Sequence, residues 1–286
     1  MLHIGDFNTL KVLRMERGMC FLQGDRGEIP MPRKELPKGV KPGDSLRVFV
    51  YNESKERLGA TLRTPLAKVG DFAVLPVKEL TDFGAFLEWG LSKDLFLPRK
   101  YFPREHGKAR GHSRIPHKGE RLPVYLTLDY EQQGVIGTCR LEEHFDRNTE
   151  ELTGNREVDL LVFAITQLGA RVVIDNRWEG LLYNNEIFEQ IRVGDRRKGY
   201  IKKVREDGLV DAALQPQGFP AANRQARTTI LDALEQHGGF LALHDKSDPE
   251  EIRRHLQMSK KLFKNTIGTL YKEGLIIIEE GGIRKR

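Results

Sequence analysis

The sequence predicts a mainly β chain with an α+β C-terminus: three tandem five-stranded barrels, then a small helical unit. Three observations predict it. A Gly-acid pair leading into a short alternating apolar run occurs three times, in residues 42–50, 118–126 and 193–201. Its glycines, Gly43, Gly119 and Gly194, are 76 and then 75 residues apart. That period is too long for a solenoid unit and suits a small barrel with its own core. Beyond Gln215 the apolar residues change to helical spacing. The expected domains are 1–64, 65–145, 146–218 and 219–286.

Each repeat reads as five short strands separated by Gly, Pro and Asp. In the second these are VGDFAVLPVKEL (69–80), TDFGAFLEWG, LFLP (95–98), LPVYLTLDY (122–130) and VIGTCRL (135–141). The first offers IGDFNTLKVLRM, GMCFLQG, GEIPMP, SLRVFVYN and LGATL; the third EVDLLVFAITQL, ARVVIDN, WEGLLYN, RRKGYIKKV and LVDAAL. Five such strands fit an OB-type Greek-key barrel. The three glycines then sit in the turn leading into the fourth strand, where a positive φ is needed.

The C-terminal unit begins after the linker QPQGFPAAN. Ala226, Ile230, Ala233 and Leu234 define a first helix ended by Gly238 and Gly239. Asp248-Pro249-Glu250-Glu251 is a strong start for a second, with a capping aspartate and proline at the first position. Ser259 caps a third, with Phe263, Ile267, Leu270 and Tyr271 on its inner face. A terminal hairpin over GLIIIEEGGIRKR completes a winged helix-turn-helix.

Composition narrows the function. The chain carries a net charge of +6, which favours a polyanionic partner. By segment the net charge is +4 for 1–63, +1 for 64–145, −2 for 146–218 and +3 for 219–286, so local clusters matter more than the total. Two cysteines, Cys20 and Cys139, lie in different repeats inside apolar runs. They read as buried thiols of a reducing compartment, without disulfide or zinc site. The N-terminus lacks the apolar core of a signal peptide and no stretch is long enough to span a membrane. A cytoplasmic, soluble monomer without cofactor or metal is expected. The chain has no aspartate cluster for Mg²⁺, no phosphate-binding Gly-Lys-Ser/Thr loop and no nucleophile-base pair, which speaks against an enzyme.

Residues Asp82-Phe83-Gly84-Ala85-Phe86-Leu87, followed by Asp94-Leu95-Phe96-Leu97, resemble the signature of the S1 RNA-binding domain, most closely in the second repeat. The whole layout resembles the conserved virulence factor B (CvfB) family of bacterial RNA-binding regulators. The resemblance implies that Phe83 and Phe86 form part of a platform on which bases stack, and Phe96 is a further candidate contact. It puts the signature's histidine position at Leu97, at Met31 in the first repeat and at Tyr183 in the third. Arg171 takes the second aromatic position of the third repeat, where a guanidinium plane can stack on a base. Phe21 lies near that position in the first. An acidic residue and an arginine four apart, often found before the last strand of S1 domains, are kept as Glu53 and Arg57.

Basic clusters supply the expected phosphate contacts. The loop 99–118 of the second repeat holds Arg99, Lys100, Arg104, Lys108, Arg110, Arg114 and Lys118, interleaved with Tyr101 and Phe102. Its histidines His106, His112 and His117 match no zinc spacing. Met31-Pro32-Arg33-Lys34 and Leu97-Pro98-Arg99-Lys100 place an Arg-Lys pair after the third strand of two repeats. The third instead concentrates charge at Arg196, Arg197, Lys198, Lys202, Lys203 and Arg205, which strict alternation would divide between two faces. The third helix of the winged unit presents Lys260, Lys261 and Lys264.

These features predict a bacterial protein that binds single-stranded RNA through its barrels, assisted by the winged helix, and regulates expression post-transcriptionally. Further partners would be the ribosome or other RNA-processing proteins. The competing expectation is a DNA-binding transcriptional regulator that reads operator with the winged helix and docks through the barrels.

Overall fold

The computed structural model describes residues 1–25, 27–54, 57–104, 113–129, 134–187, 190–216 and 219–286. The three repeats build the same element order. The first comprises β1 (Asp6–Glu16), β2 (Met19–Gly24), β3 (Gly27–Pro32), β4 (Ser45–Asn52) and β5 (Leu58–Thr61). The second comprises β6 (Phe72–Leu80), β7 (Gly84–Leu87), β8 (Leu95–Pro98), β9 (Arg121–Asp129) and β10 (Gly134–Thr138). The third comprises β11 (Glu157–Ile165), β12 (Gly169–Ile174), β13 (Trp178–Tyr183), β14 (Arg196–Val204) and β15 (Val210–Ala213). Parallel pairing of β8 with β10, and of β13 with β15, closes the second and third barrels. The first has the same order, β3-β2-β1-β4-β5, with β3 packed along β5 but no ladder between them among the described residues.

The repeated Gly-acid pair has a structural task at the same place in each barrel. Gly43, Gly119 and Gly194 have φ of 100°, 83° and 95°, and at Gly43 and Gly119 no neighbouring atom crowds the position a Cβ would take. The backbone angle, rather than space, selects glycine there. The acid that follows folds back on the turn: Asp44, Glu120 and Asp195 accept from the N–H of Lys41, His117 and Arg192 at 2.8, 3.0 and 3.0 Å. Each glycine N–H in turn donates to the first strand, at Val12, Val77 and Val162 (2.8, 2.7 and 2.8 Å). Immediately after those valines the first strand is bulged in all three barrels. A bulge bends and over-twists its strand, which lets one long strand pair with the second strand at one end and the fourth at the other.

Alternating side chains fill the barrels. Cys20, Leu22, Met31 and Val50 are buried in the first, Ala85, Leu87, Leu95, Leu97 and Val124 in the second, and Leu160, Val172, Leu182 and Ile201 in the third. Both thiols are free; burial pushes that of Cys139 up to about 12 and raises that of Cys20 as well, which favours the protonated thiol. Phe49 and Tyr51 of β4 join the core of the second barrel. Phe49 meets Trp89 edge to face with ring centroids 5.6 Å apart, and the Lys68 ammonium pairs with Asp6 at 2.7 Å. Residues 1–145 therefore form one compact unit, and residues 146–286 a second.

The winged helix contains α1 (Phe219–Gln236), β16 (Phe240–Leu241), α2 (Pro249–Leu256), α3 (Lys260–Lys272), β17 (Ile276–Glu279) and β18 (Gly282–Lys285). Asp248 caps α2 by accepting from the Glu250 N–H at 2.7 Å, and Ser259 caps α3 through the Leu262 N–H at 3.2 Å. Gln257, left-handed at φ 52°, ends α2 and makes the tight turn between them. Ile230, Leu234, Ile252, Leu256, Phe263, Ile267 and Leu270 form the core beneath the sheet β16-β18-β17. No helix among the described residues is long and apolar enough to cross a membrane.

Candidate nucleic-acid interface

The outer face of the hairpin β7–β8 carries the predicted aromatics, and alternation puts them there. Ala85, Leu87, Leu95 and Leu97 turn into the core, so Phe86 and Phe96 turn outward and are half-buried. Directly opposite each other in register, their rings stand 5.3 Å apart at 42°. Gly84 makes room for this arrangement: a Cβ there would lie 2.8 Å from the Phe96 ring and 2.3 Å from the Leu97 carbonyl oxygen. Phe83 precedes it at the tip of the turn from β6 into β7 and is 82% exposed. An aromatic ring left almost wholly in water, next to two others facing outward, presents π-faces to stacking partners.

Cations flank the rings. The Arg99 N–H donates to the Phe83 carbonyl at 2.9 Å, which places Arg99 and Lys100 beside the tip. Both are exposed, and among the described residues neither has a carboxylate in salt-bridge range. The Lys100 ammonium lies 4.9 Å from the Tyr101 ring. Arg104 pairs loosely with Glu142 at 3.6 Å, and Arg114 is held by Glu120. Lys108 and Arg110, with His106 and His112, lie outside the described residues.

Strand register locates the matching positions in the other barrels and corrects two expectations. Gly84, Ala85 and Phe86 face Pro98, Leu97 and Phe96, whereas Gly169, Ala170 and Arg171 face Tyr183, Leu182 and Leu181. Tyr183 therefore matches Pro98, and Leu182 takes the place of Leu97. In the first barrel Cys20 faces Met31 and Phe21 faces Pro30, so Phe21 is the match for Phe86. The second correction concerns β14. A bulge between Ile201 and Lys203 breaks the alternation, so Ile201 is buried while Lys202 and Lys203 are both exposed.

In those two barrels the matching groups have partners of their own. The Arg14 guanidinium lies 3.8 Å over the Phe21 ring and is held there by Glu28 and Glu16 at 2.7 and 2.5 Å. Arg14 in return draws the Glu28 carboxyl below its ordinary value. Arg171 hydrogen-bonds Glu179 at 2.9 and 2.5 Å and lies over the Phe163 ring. Arg205 donates to the Tyr183 hydroxyl at 2.6 Å and pairs with Asp211 at 2.6 Å. Lys202 is bound to Glu186. The structure thus brings Phe83, Phe86, Phe96, Arg99 and Lys100 together, while Arg171, Tyr183, Lys202 and Arg205 form an internally neutralised face.

Sequence reasoning missed the tip of the third barrel. Ile165 and Leu168, 54% and 65% exposed, occupy the places of Leu80 and Phe83. The signal was available: Thr81 and Thr166 each hydrogen-bond the carbonyl of the glycine three residues on, Gly84 and Gly169. The first barrel has no such tip. Arg17 and Gly18, with φ of 48° and 79°, make a two-residue turn between Glu16 and Met19.

In the winged helix, Lys261 and Lys264 are exposed on α3 and Lys260 is half-buried. Lys264 approaches Asp245 at 3.8 Å. Among the described residues no group of three or more His, Cys, Asp or Glu side chains could hold a metal ion.

Comparison with known proteins agrees with this architecture. Residues 4–63 match the S1 domain and residues 228–284 the CvfB-like winged helix domain. The matched S1 domain is the first barrel, although the aromatic signature is fullest in the second. The chain is 29% identical to the protein YitL of Bacillus subtilis over 267 residues, 91% of this chain and 86% of that protein. It is 24% identical to Conserved virulence factor B of Staphylococcus haemolyticus over 286 residues, covering 98% of this chain and 93% of that one. A multidomain protein with nucleic acid binding domains from Streptococcus pneumoniae aligns with 24% identity and a TM-score of 0.47, over 99% of this chain and 98% of that one. The chain therefore carries an S1 domain and a CvfB-like winged helix, domains of nucleic-acid-binding rather than catalytic type.

Proposed function

We propose that this protein binds single-stranded RNA, chiefly on the β7–β8 face of its second barrel, and acts as a post-transcriptional regulator. The observation that carries the reading is the exposed Phe83 ring beside the outward Phe86–Phe96 pair, flanked by Arg99 and Lys100. Stacking on open rings requires unpaired bases, which a duplex keeps within its own stack. Arg99 and Lys100 supply phosphate contacts, and Lys260, Lys261 and Lys264 offer separate ones on the winged helix. A protein named Conserved virulence factor B aligns with this chain over nearly its whole length.

Binding of a short labelled single-stranded RNA, compared with duplex DNA at moderate salt, tests the reading. RNA binds more tightly, and Phe83→Ala with Phe86→Ala weakens it. If duplex DNA binds better and those substitutions change nothing, the protein is instead a DNA reader using α3. Replacing Lys260, Lys261 and Lys264 by Ala then separates the roles of the winged helix. A lower affinity with a flatter salt dependence marks nucleic-acid contact; unchanged binding marks a protein-docking role.

A further inference from the structure

The wing of the C-terminal domain ends in an open sheet edge. In the sheet β16-β18-β17, β17 is the outer strand, and among the described residues no strand lies beyond it. Its sequence is Ile276-Ile277-Ile278-Glu279, and Ile277 and Ile278 are each 40% exposed. Natural edges are ordinarily guarded by lysine, proline or a bulge, and β17 has none of these.

The hydrogen-bond pattern identifies which groups face outward. The Arg286 N–H donates to the Leu275 carbonyl at 3.1 Å, while the Lys285 N–H turns the other way, to the Gly239 carbonyl at 2.8 Å. In an antiparallel ladder alternate residues turn to the same neighbour. Leu275, Ile277 and Glu279 therefore bond β18, and the N–H and C=O of Ile276 and Ile278 point away from the domain.

We propose that this edge pairs with the same edge of a second copy of the chain, antiparallel and about a two-fold axis at Ile277. That register sets Ile276 opposite Ile278 of the other copy, and the reverse, so that four backbone hydrogen bonds form. Ile277 faces its own counterpart at a position where side chains come close. It also sets Glu280 opposite Gly274 of the other copy. The Arg286 guanidinium already lies there, with Nη1 3.5 Å from where a Gly274 Cβ would stand. Neither Glu280 nor Arg286 has an ion-pair partner among the described residues. One edge thus carries a free acid at one end and a free base at the other, the self-complementary pattern a two-fold contact requires. The contact is small, so the dimer is weak and the chain is a monomer when dilute.

Sedimentation equilibrium of the full-length protein, from micromolar to about millimolar concentration, tests the proposal. The average mass is expected to rise toward twice that of the chain. Ile278→Pro removes an outward N–H and leaves the ladder to β18 intact, so it should abolish the rise. Glu280→Arg and Arg286→Glu should each abolish it, and the double reversal should restore it. The charge reversals decide the matter if the proline variant fails to fold. A monomer at every concentration overturns the proposal, as does a dimer that survives the single charge reversals.

Discussion

Phe83→Ala is the sharpest test of the second-barrel site, because the ring contributes almost nothing to the fold. It is 82% exposed, and its residue's structural bond is the backbone acceptance from Arg99, which alanine keeps. Such a surface substitution should shift stability by no more than about 0.5 kcal/mol. Stacking of one base on an exposed aromatic is worth about 1–3 kcal/mol. With a factor of ten for every 1.4 kcal/mol, the variant should bind single-stranded RNA roughly 5- to 150-fold more weakly. Fluorescence anisotropy of a labelled oligonucleotide gives the Kd, and a thermal melt confirms the unchanged fold. Phe83→Trp keeps a π-face and should retain binding. Leu168→Ala, the matching change in the third barrel, should cost far less. If Phe83→Ala leaves Kd within twofold while the melt is unaltered, the tip does not stack bases and the proposed site is wrong.

Three other outcomes are expected. Replacing Arg99 and Lys100 with Gln should make the slope of log Kd against log salt shallower by about 1.4, the value for two phosphate contacts to a single strand; a salt titration checks it. Glu179→Gln releases Arg171 from its carboxylate partner, so RNA affinity should rise a few-fold at low salt and the gain should vanish at high salt. The third concerns pH. His144 stacks on Tyr125 at 4.0 Å, and burial holds its imidazole below the ordinary value despite Glu143 and Glu142. Between the folded and unfolded values the unfolded chain binds more protons, so stability is lost as pH falls from the ordinary imidazole value toward the folded one. Melts from about pH 7.5 to 5.5 should show that loss, and His144→Gln should reduce it.

The fold was legible because its determinants are local. The Gly-acid pair announces a turn whose φ only glycine takes freely and whose carboxylate closes on its own backbone, and that turn fixes where the fourth strand begins. The caps Asp248 and Ser259 are likewise chemistry within three residues. What sequence alone misplaced depends on register and on partners distant along the chain. The bulge after Ile201 exposes Lys202 and Lys203 together, against strict alternation. The match of Tyr183 to Pro98 emerges only from the ladders. Charge neutralisation was invisible for the same reason: Glu28 lies fourteen residues from Arg14, and Glu186 sixteen from Lys202.

The inequality among the barrels follows from what lies over one position. Phe21, Phe86 and Arg171 occupy the same site on the second strand of their hairpins. Over Phe21 lies a guanidinium held by two carboxylates; a base entering there must first displace a charge-assisted contact. Arg171 must give up Glu179 before it can meet a phosphate. Among the described residues Phe86 has a ring contact with Phe96 and no guanidinium over it, and the neighbouring Phe83 is open, so a base arriving there has no ion pair to displace. Affinity depends on the difference between the bound and free states, and equal scaffolds then give unequal sites. Selection on the first and third barrels can keep the turn, the bulge and the core while their faces close with internal ion pairs. The match of the first barrel to the S1 domain therefore speaks to its fold, and the second barrel holds the more accessible aromatic face.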